Sequence, residues 1–169
     1  MTKTCAFFGN DYDFIWRGKR NEQRNPQVRE RVKEQVVKLI EDKAVDTFLV
    51  GEIGGYERDA YDAVLEVQKQ YPNISVVLVI SKITELHPVG EDDSDYMYHR
   101  RHCDDWVFPD KCQQGYRRLT IVYRNRWIVE NTDYIIGYNR YQGRAYEFIK
   151  QAKSKGVEVI ELTDLYTFD

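Results

Sequence analysis

Hydrophobic and polar residues follow two rhythms along this chain. Short, nearly unbroken apolar runs stand at Thr4 to Phe8, Asp46 to Val50, Ile74 to Ile80, Tyr134 to Tyr138 and Val157 to Leu162. Runs of that length suit strands buried on both faces, as in a parallel sheet. Between them the apolar positions recur at helical spacing. Pro26 opens a stretch with Val28, Val32, Val36, Leu39 and Ile40 on one face, ending near Lys43. A second carries Ala60, Ala63, Val64 and Val67 and stops before Pro72; a third runs through Leu119, Val122, Tyr123, Arg126 and Val129; a fourth bears Ala145, Phe148, Ile149 and Ala152 and is capped by Gly156. The run from Ile74 to Ile80 is the most apolar and is expected to be central, and Asp105 to Phe108 is a candidate short strand. Strands alternating with helices predict an α/β fold, a doubly wound parallel sheet.

Three strands end in polar, glycine-punctuated turns: Phe8-Gly9-Asn10, Gly51-Glu52-Ile53-Gly54-Gly55 and Asn139-Arg140-Tyr141-Gln142-Gly143. Ligands of open α/β sheets gather outside the carboxyl ends of the strands, so these turns are the candidate site. A helix starting there presents unpaired backbone amides and the positive end of its dipole, and glycine lets an anion come close. The plainer reading is that the glycines only make tight turns, since the spacing is neither the dinucleotide fingerprint nor the P-loop. Glu52 and Glu57 oppose a bare phosphate and suit a ribose hydroxyl better.

Composition narrows the classes. With 169 residues and 42% hydrophobic content the chain suits one buried core, so residues 1–169 are read as a single domain. A net charge of −3, from 25 basic and 28 acidic residues, gives no field that would hold a nucleic acid tightly. Cys5, Cys103 and Cys112 are odd in number and widely spaced, which argues against a disulfide framework and for a reducing, cytoplasmic setting. No apolar run is long enough to span a bilayer, so no membrane partner is expected. The polar stretch Asp11 to Asn25, with Trp16, Arg17 and Arg20, reads as a long loop over the first turn. His99, His102, Cys103 and Cys112 lack a standard zinc spacing and read as a polar loop, so neither metal nor cofactor is expected.

Five segments in order carry a family resemblance: Cys5 to Asn10, Gly51 to Ala60, Tyr71 to Ile74, Tyr123 to Tyr134 and Gly143 to Glu147. Together they resemble the SLOG superfamily, closest to its small bacterial DUF1273/YpsA-like branch, over nearly the whole chain. More distantly the chain resembles the Lonely Guy phosphoribohydrolases and the DNA-processing protein DprA. The resemblance implies a Rossmann-like, three-layer α/β/α fold, a nucleotide or nucleotide-derived ligand, and pairing as a homodimer. The pattern also departs from the family's. Asn10-Asp11 stand where the close branch has His-Arg, Glu52 stands at a glycine position, and Asn139-Arg140-Tyr141 replace the Pro-Gly-Gly of the hydrolases.

Arg124 and Glu147 resemble the hydrolase catalytic pair in kind and order. A carboxylate can stabilise oxocarbenium character and position water while an arginine holds a phosphate or the leaving base. Equally, the two residues suit an ordinary ion pair or a solvated surface. The ligand-binding candidates are Gly9, Asn10, Gly51, Glu52, Gly54, Gly55, Asn125, Gly143 and Arg144, with Asp133 read as a capping residue before a strand. Three functions stay open: a binding or sensing module for a nucleotide-derived ligand, an N-glycosidic hydrolase of nucleoside 5′-monophosphates, and DprA-like single-stranded DNA binding, which the acidic balance disfavours.

Overall fold

A computed structural model of the chain describes residues 2–10, 12, 24–51, 54–81, 102–114 and 119–162. Strands β1 (Thr4–Gly9), β2 (Thr47–Val50), β3 (Ser75–Val79), β4 (Asp105–Val107), β5 (Tyr134–Tyr138) and β6 (Glu158–Glu161) form one sheet in the order β4-β3-β2-β1-β5-β6. Every pairing is parallel, with Cys5 beside both Phe48 and Tyr134. All carboxyl ends therefore lie along one edge. The strand order turns at β1, whose neighbours are β2 and β5, and this is the switch point at which α/β sheets open a crevice.

Helices α1 (Pro26–Lys43) and α2 (Gly55–Gln68) lie on one face; α4 (Thr120–Glu130) and α5 (Arg144–Ser154) lie on the other, with the short α3 (Asp110–Gln114) preceding α4. The strand alternation shows why both faces are covered. Cys5, Phe7, Phe48, Val50, Val76, Leu78, Ile136 and Tyr138 pack with Val28, Val32, Val36, Ala60, Val64 and Val67 of α1 and α2. Ala6, Phe8, Leu49, Val79 and Ile135 point the other way, onto Ile128, Val129, Phe148, Ile149 and Ala152. This is a Rossmann-like, three-layer α/β/α arrangement. Among the described residues no helix is long and apolar enough to cross a membrane.

Helix boundaries follow local chemistry. Asn25 caps α1, its side chain accepting from the amides of Gln27 and Val28, and Pro26 takes the first helical position. The helix ends on Ala44, which adopts a left-handed φ of 58°, and the next amide, Val45 N, reaches back to Leu39 O at 3.1 Å. Gly156, with φ 84°, closes α5 in the way its sequence position predicts.

One expectation needs correction. The third strand is interior but second from the edge, because the short β4 adds only one further strand outside it. The helix expected through Leu119 to Val129 is present as α4, and its buried positions are Thr120, Arg124, Asn125, Ile128 and Val129, three of them polar, while Leu119 and Arg126 are exposed.

At the amino edge one device is used three times. Asp46, Asp104 and Asp133 each directly precede a strand and accept a backbone amide from the neighbouring one: Lys3 N at 3.2 Å, Val76 N at 2.8 Å and Thr4 N at 2.9 Å. Asp133 is thus a capping residue at the edge opposite the glycine turns.

Candidate functional site

The turns after β1, β2 and β5 meet at the switch point. Gly9 ends β1, and the buried Asn10 follows it, its amide donating to Tyr138 O at 2.8 Å. The Asn10 side-chain oxygen accepts from the amides of Arg140 and Tyr141, the latter at 3.0 Å. One side chain therefore ties the first turn to the third. Gly143 lies beside them: a Cβ there would sit 3.0 Å from the Tyr141 ring and 3.7 Å from Asn10 Nδ2.

The second turn is joined through α2. Tyr56, in its first turn, donates from its hydroxyl to Ile136 O at 2.7 Å and stacks on Tyr138 with centroids 5.7 Å apart. Its ring fills the space in front of Gly9, where a Cβ would come within 2.2 Å of Tyr56 Cδ1. The room at Gly9 is therefore occupied by the chain's own aromatic ring. Tyr12 meets Tyr138 edge-on at 5.6 Å and donates to Asp59 Oδ2 at 2.5 Å, an oxygen that also accepts from Asn25 N at 2.7 Å. Asp59 is fully buried, and its Oδ1 has no hydrogen-bond partner among the described residues. Burial pushes its carboxyl pKa up; the Tyr12 and Asn25 hydrogen bonds and the charges of Arg24 and Arg29 oppose this without cancelling it.

Beside the end of β2 lies a buried ion pair. Arg124, 2% exposed and projecting from the second turn of α4, meets Glu57 in the first turn of α2 through two parallel bonds, Nη2 to Oε1 at 2.6 Å and Nη1 to Oε2 at 3.2 Å. Asn125 Oδ1 accepts from Nε at 3.0 Å and from Nη2 at 2.8 Å. The fork geometry gives both orientation and strength. Gly51 has no side chain because the pair occupies that space: a Cβ would lie 2.3 Å from Glu57 Oε2 and 2.6 Å from Arg124 Nη1.

The structure thus brings Gly9, Asn10, Gly51, Gly54, Gly55, Arg124, Asn125, Gly143, Arg144 and Glu147 to one sheet edge, while Glu52 lies outside the described residues. Gly54 takes φ 91° ahead of α2, and buried Gly55 is its first residue. Arg124 and Glu147 stand on helices that both begin at this edge, but the guanidinium is engaged with Glu57, and Glu147 and Arg144 are exposed on the first turn of α5. Gly54 and Gly143 give neither helix a side-chain cap. Trp16, Arg17, Arg20 and His99 lie outside the described residues. His102 is exposed, Cys103 is half-buried with its thiol pKa raised by burial, and Cys112 donates to Thr120 O at 3.4 Å. Among the described residues no three ligating side chains gather as a metal site.

Sequence reasoning missed Tyr12, Tyr56, Asp59 and Tyr138, and weighed Glu57 as a charge that opposes phosphate and suits a ribose hydroxyl, not as the partner of Arg124. The available signal was Asp59 within the otherwise apolar stripe of α2, beside Ala60, Ala63, Val64 and Val67. A carboxylate on an inward face needs a partner, and that partner is the Tyr12 hydroxyl. No family model matches the chain, and no curated protein is significantly similar to it.

Proposed function

We propose that this chain binds a small nucleotide-derived molecule at the carboxyl edge of the sheet, as a binding or sensing module. The observation that carries this reading is the junction of three turns at the switch point, where Asn10 joins the turns after β1 and β5 and Tyr56 joins α2 to β5. Around that junction the α5 amino end, opened by Gly143 without a side-chain cap, offers backbone donors to an anionic or polar group. Tyr141, at 36% exposure, offers an aromatic face to a base.

The test is a thermal-shift and native mass spectrometry screen with nucleosides, nucleotides and nucleotide sugars, since a specific guest stabilises the fold by mass action. One class of compound raises the unfolding midpoint, and Gly143→Val, which fills the space beside Tyr141 and Asn10, removes the shift. Silence across the panel, or a shift unchanged in Gly143→Val, overturns the reading.

A second reading, N-glycosidic hydrolysis of a nucleoside 5′-monophosphate, is supported by the exposed Glu147 carboxylate at the same edge. It requires Arg124 to exchange Glu57 for substrate. Base release from a panel of monophosphates, abolished by Glu147→Gln, supports it; absence of release from every member removes it.

A further inference from the structure

We propose that the Glu57 carboxylate is the built-in occupant of an anion slot, so that a guest's phosphate is kept away from the end of β2. Three features that favour an anion converge on one place. The Arg124 guanidinium presents its fork there, held by Asn125, whose side-chain oxygen accepts hydrogen bonds from Nε and Nη2 and supplies no charge. The amino-terminal turn of α2 supplies the positive end of a dipole. Gly51 supplies a backbone without a Cβ, leaving room for a planar two-oxygen group within 2.3 Å of where that atom would stand. The group found there is Glu57, with its side chain 10% exposed and bidentate on Arg124.

An arginine fork matches the edge of a phosphate as well as that of a carboxylate, and α2 would favour either. The chain fills this position itself, so a phosphoryl group arriving there meets a like charge and a guanidinium already engaged. Glu57 is then a specificity-determining residue: it separates guests by what they carry at that end. The nature of the guest rests on the ligand-binding reading above; the slot itself is testable without any nucleotide.

The probe is inorganic phosphate added to the full-length chain, against chloride at equal ionic strength, with the thermal midpoint as readout. Phosphate moves the wild-type midpoint no more than it moves that of Glu57→Ala/Arg124→Leu. Glu57→Ala unfolds at lower temperature in chloride and regains about 5–10 °C at a hundredfold excess of phosphate over its dissociation constant. That gain disappears in Glu57→Ala/Arg124→Leu, which places the anion on the guanidinium. Glu57→Gln keeps an oxygen for Arg124 but no charge, and it is read in the same way if the alanine variant does not fold. Should neither variant fold in chloride, both fold in phosphate; no folding in either buffer overturns the slot. A wild-type phosphate response that Arg124→Leu removes overturns it too, as does a folded Glu57 variant indifferent to phosphate. A silent nucleotide panel would remove the ligand-binding reading and leave the phosphate result standing.

Discussion

Gly9→Ala separates a glycine kept for packing from one kept for a guest. The added methyl would stand 2.2 Å from Tyr56 Cδ1, 2.4 Å from Cγ and 2.9 Å from Cε1. Ordinary carbon contacts lie at about 3.5–4.0 Å, so the ring must withdraw by more than about 1 Å. Withdrawal breaks the 2.7 Å bond from the Tyr56 hydroxyl to Ile136 O and the stack on Tyr138. Overpacking costs about 1–3 kcal/mol, the lost hydrogen bond about 1, and the ring contact about 0.5–1.5. The expected loss is therefore about 4 kcal/mol, a fall of roughly 8–16 °C in midpoint for a chain of this size. Urea unfolding measures it, and a cycle with Tyr56→Ala isolates the cause: with the ring gone, Gly9→Ala costs less than about 0.5 kcal/mol. Equal losses in both backgrounds, or a loss below about 0.5 kcal/mol in the wild type, would refute the packing account. An unperturbed fold with abolished ligand binding would return Gly9 to the guest.

Asn10→Ala leaves the amides of Arg140 and Tyr141 without their acceptor and costs about 2 kcal/mol, with faster hydrogen exchange at those two amides; unchanged exchange counts against the clamp. Ala44→Gly relieves a left-handed residue at φ 58° on an exposed helix end and raises stability by about 0.5–1 kcal/mol in urea titration, whereas a loss would show that no strain is held there. Asp59 has a folded-state pKa above its unfolded value, so the folded protein binds the extra proton. Its contribution to stability is greatest below about pH 4 and falls as pH rises through the folded pKa. Asp59→Asn removes that slope from stability-versus-pH curves, and a slope that persists in the variant assigns it to other groups.

Most of the architecture was legible because it rests on apolar periodicity. The stripes of α1 and α5 and the runs at β1, β2 and β5 appear where the spacing places them. What was illegible is what polar burial decides. Arg124 and Asn125 are buried on α4, and a rule that reads apolar residues as inward does not pick them out. The glycine turns were correctly placed at one edge, yet the reason for two of the glycines was hidden. Gly9 makes way for Tyr56 and Gly51 for Glu57 and Arg124, residues distant in sequence whose proximity only the fold creates. Tyr12, Tyr56 and Tyr138 read singly as core aromatics; their juxtaposition depends on the β1 to β5 pairing.

The aspartates before β2, β4 and β5 have a consequence for how this protein can change. Each anchors a strand's alignment from below, so sliding by one residue would strand a carboxylate as well as invert a face. Exposed positions of the opposite rim, such as Gln142 and Arg144, can therefore be exchanged while the scaffold holds its geometry, leaving recognition free to diverge on an unchanging frame.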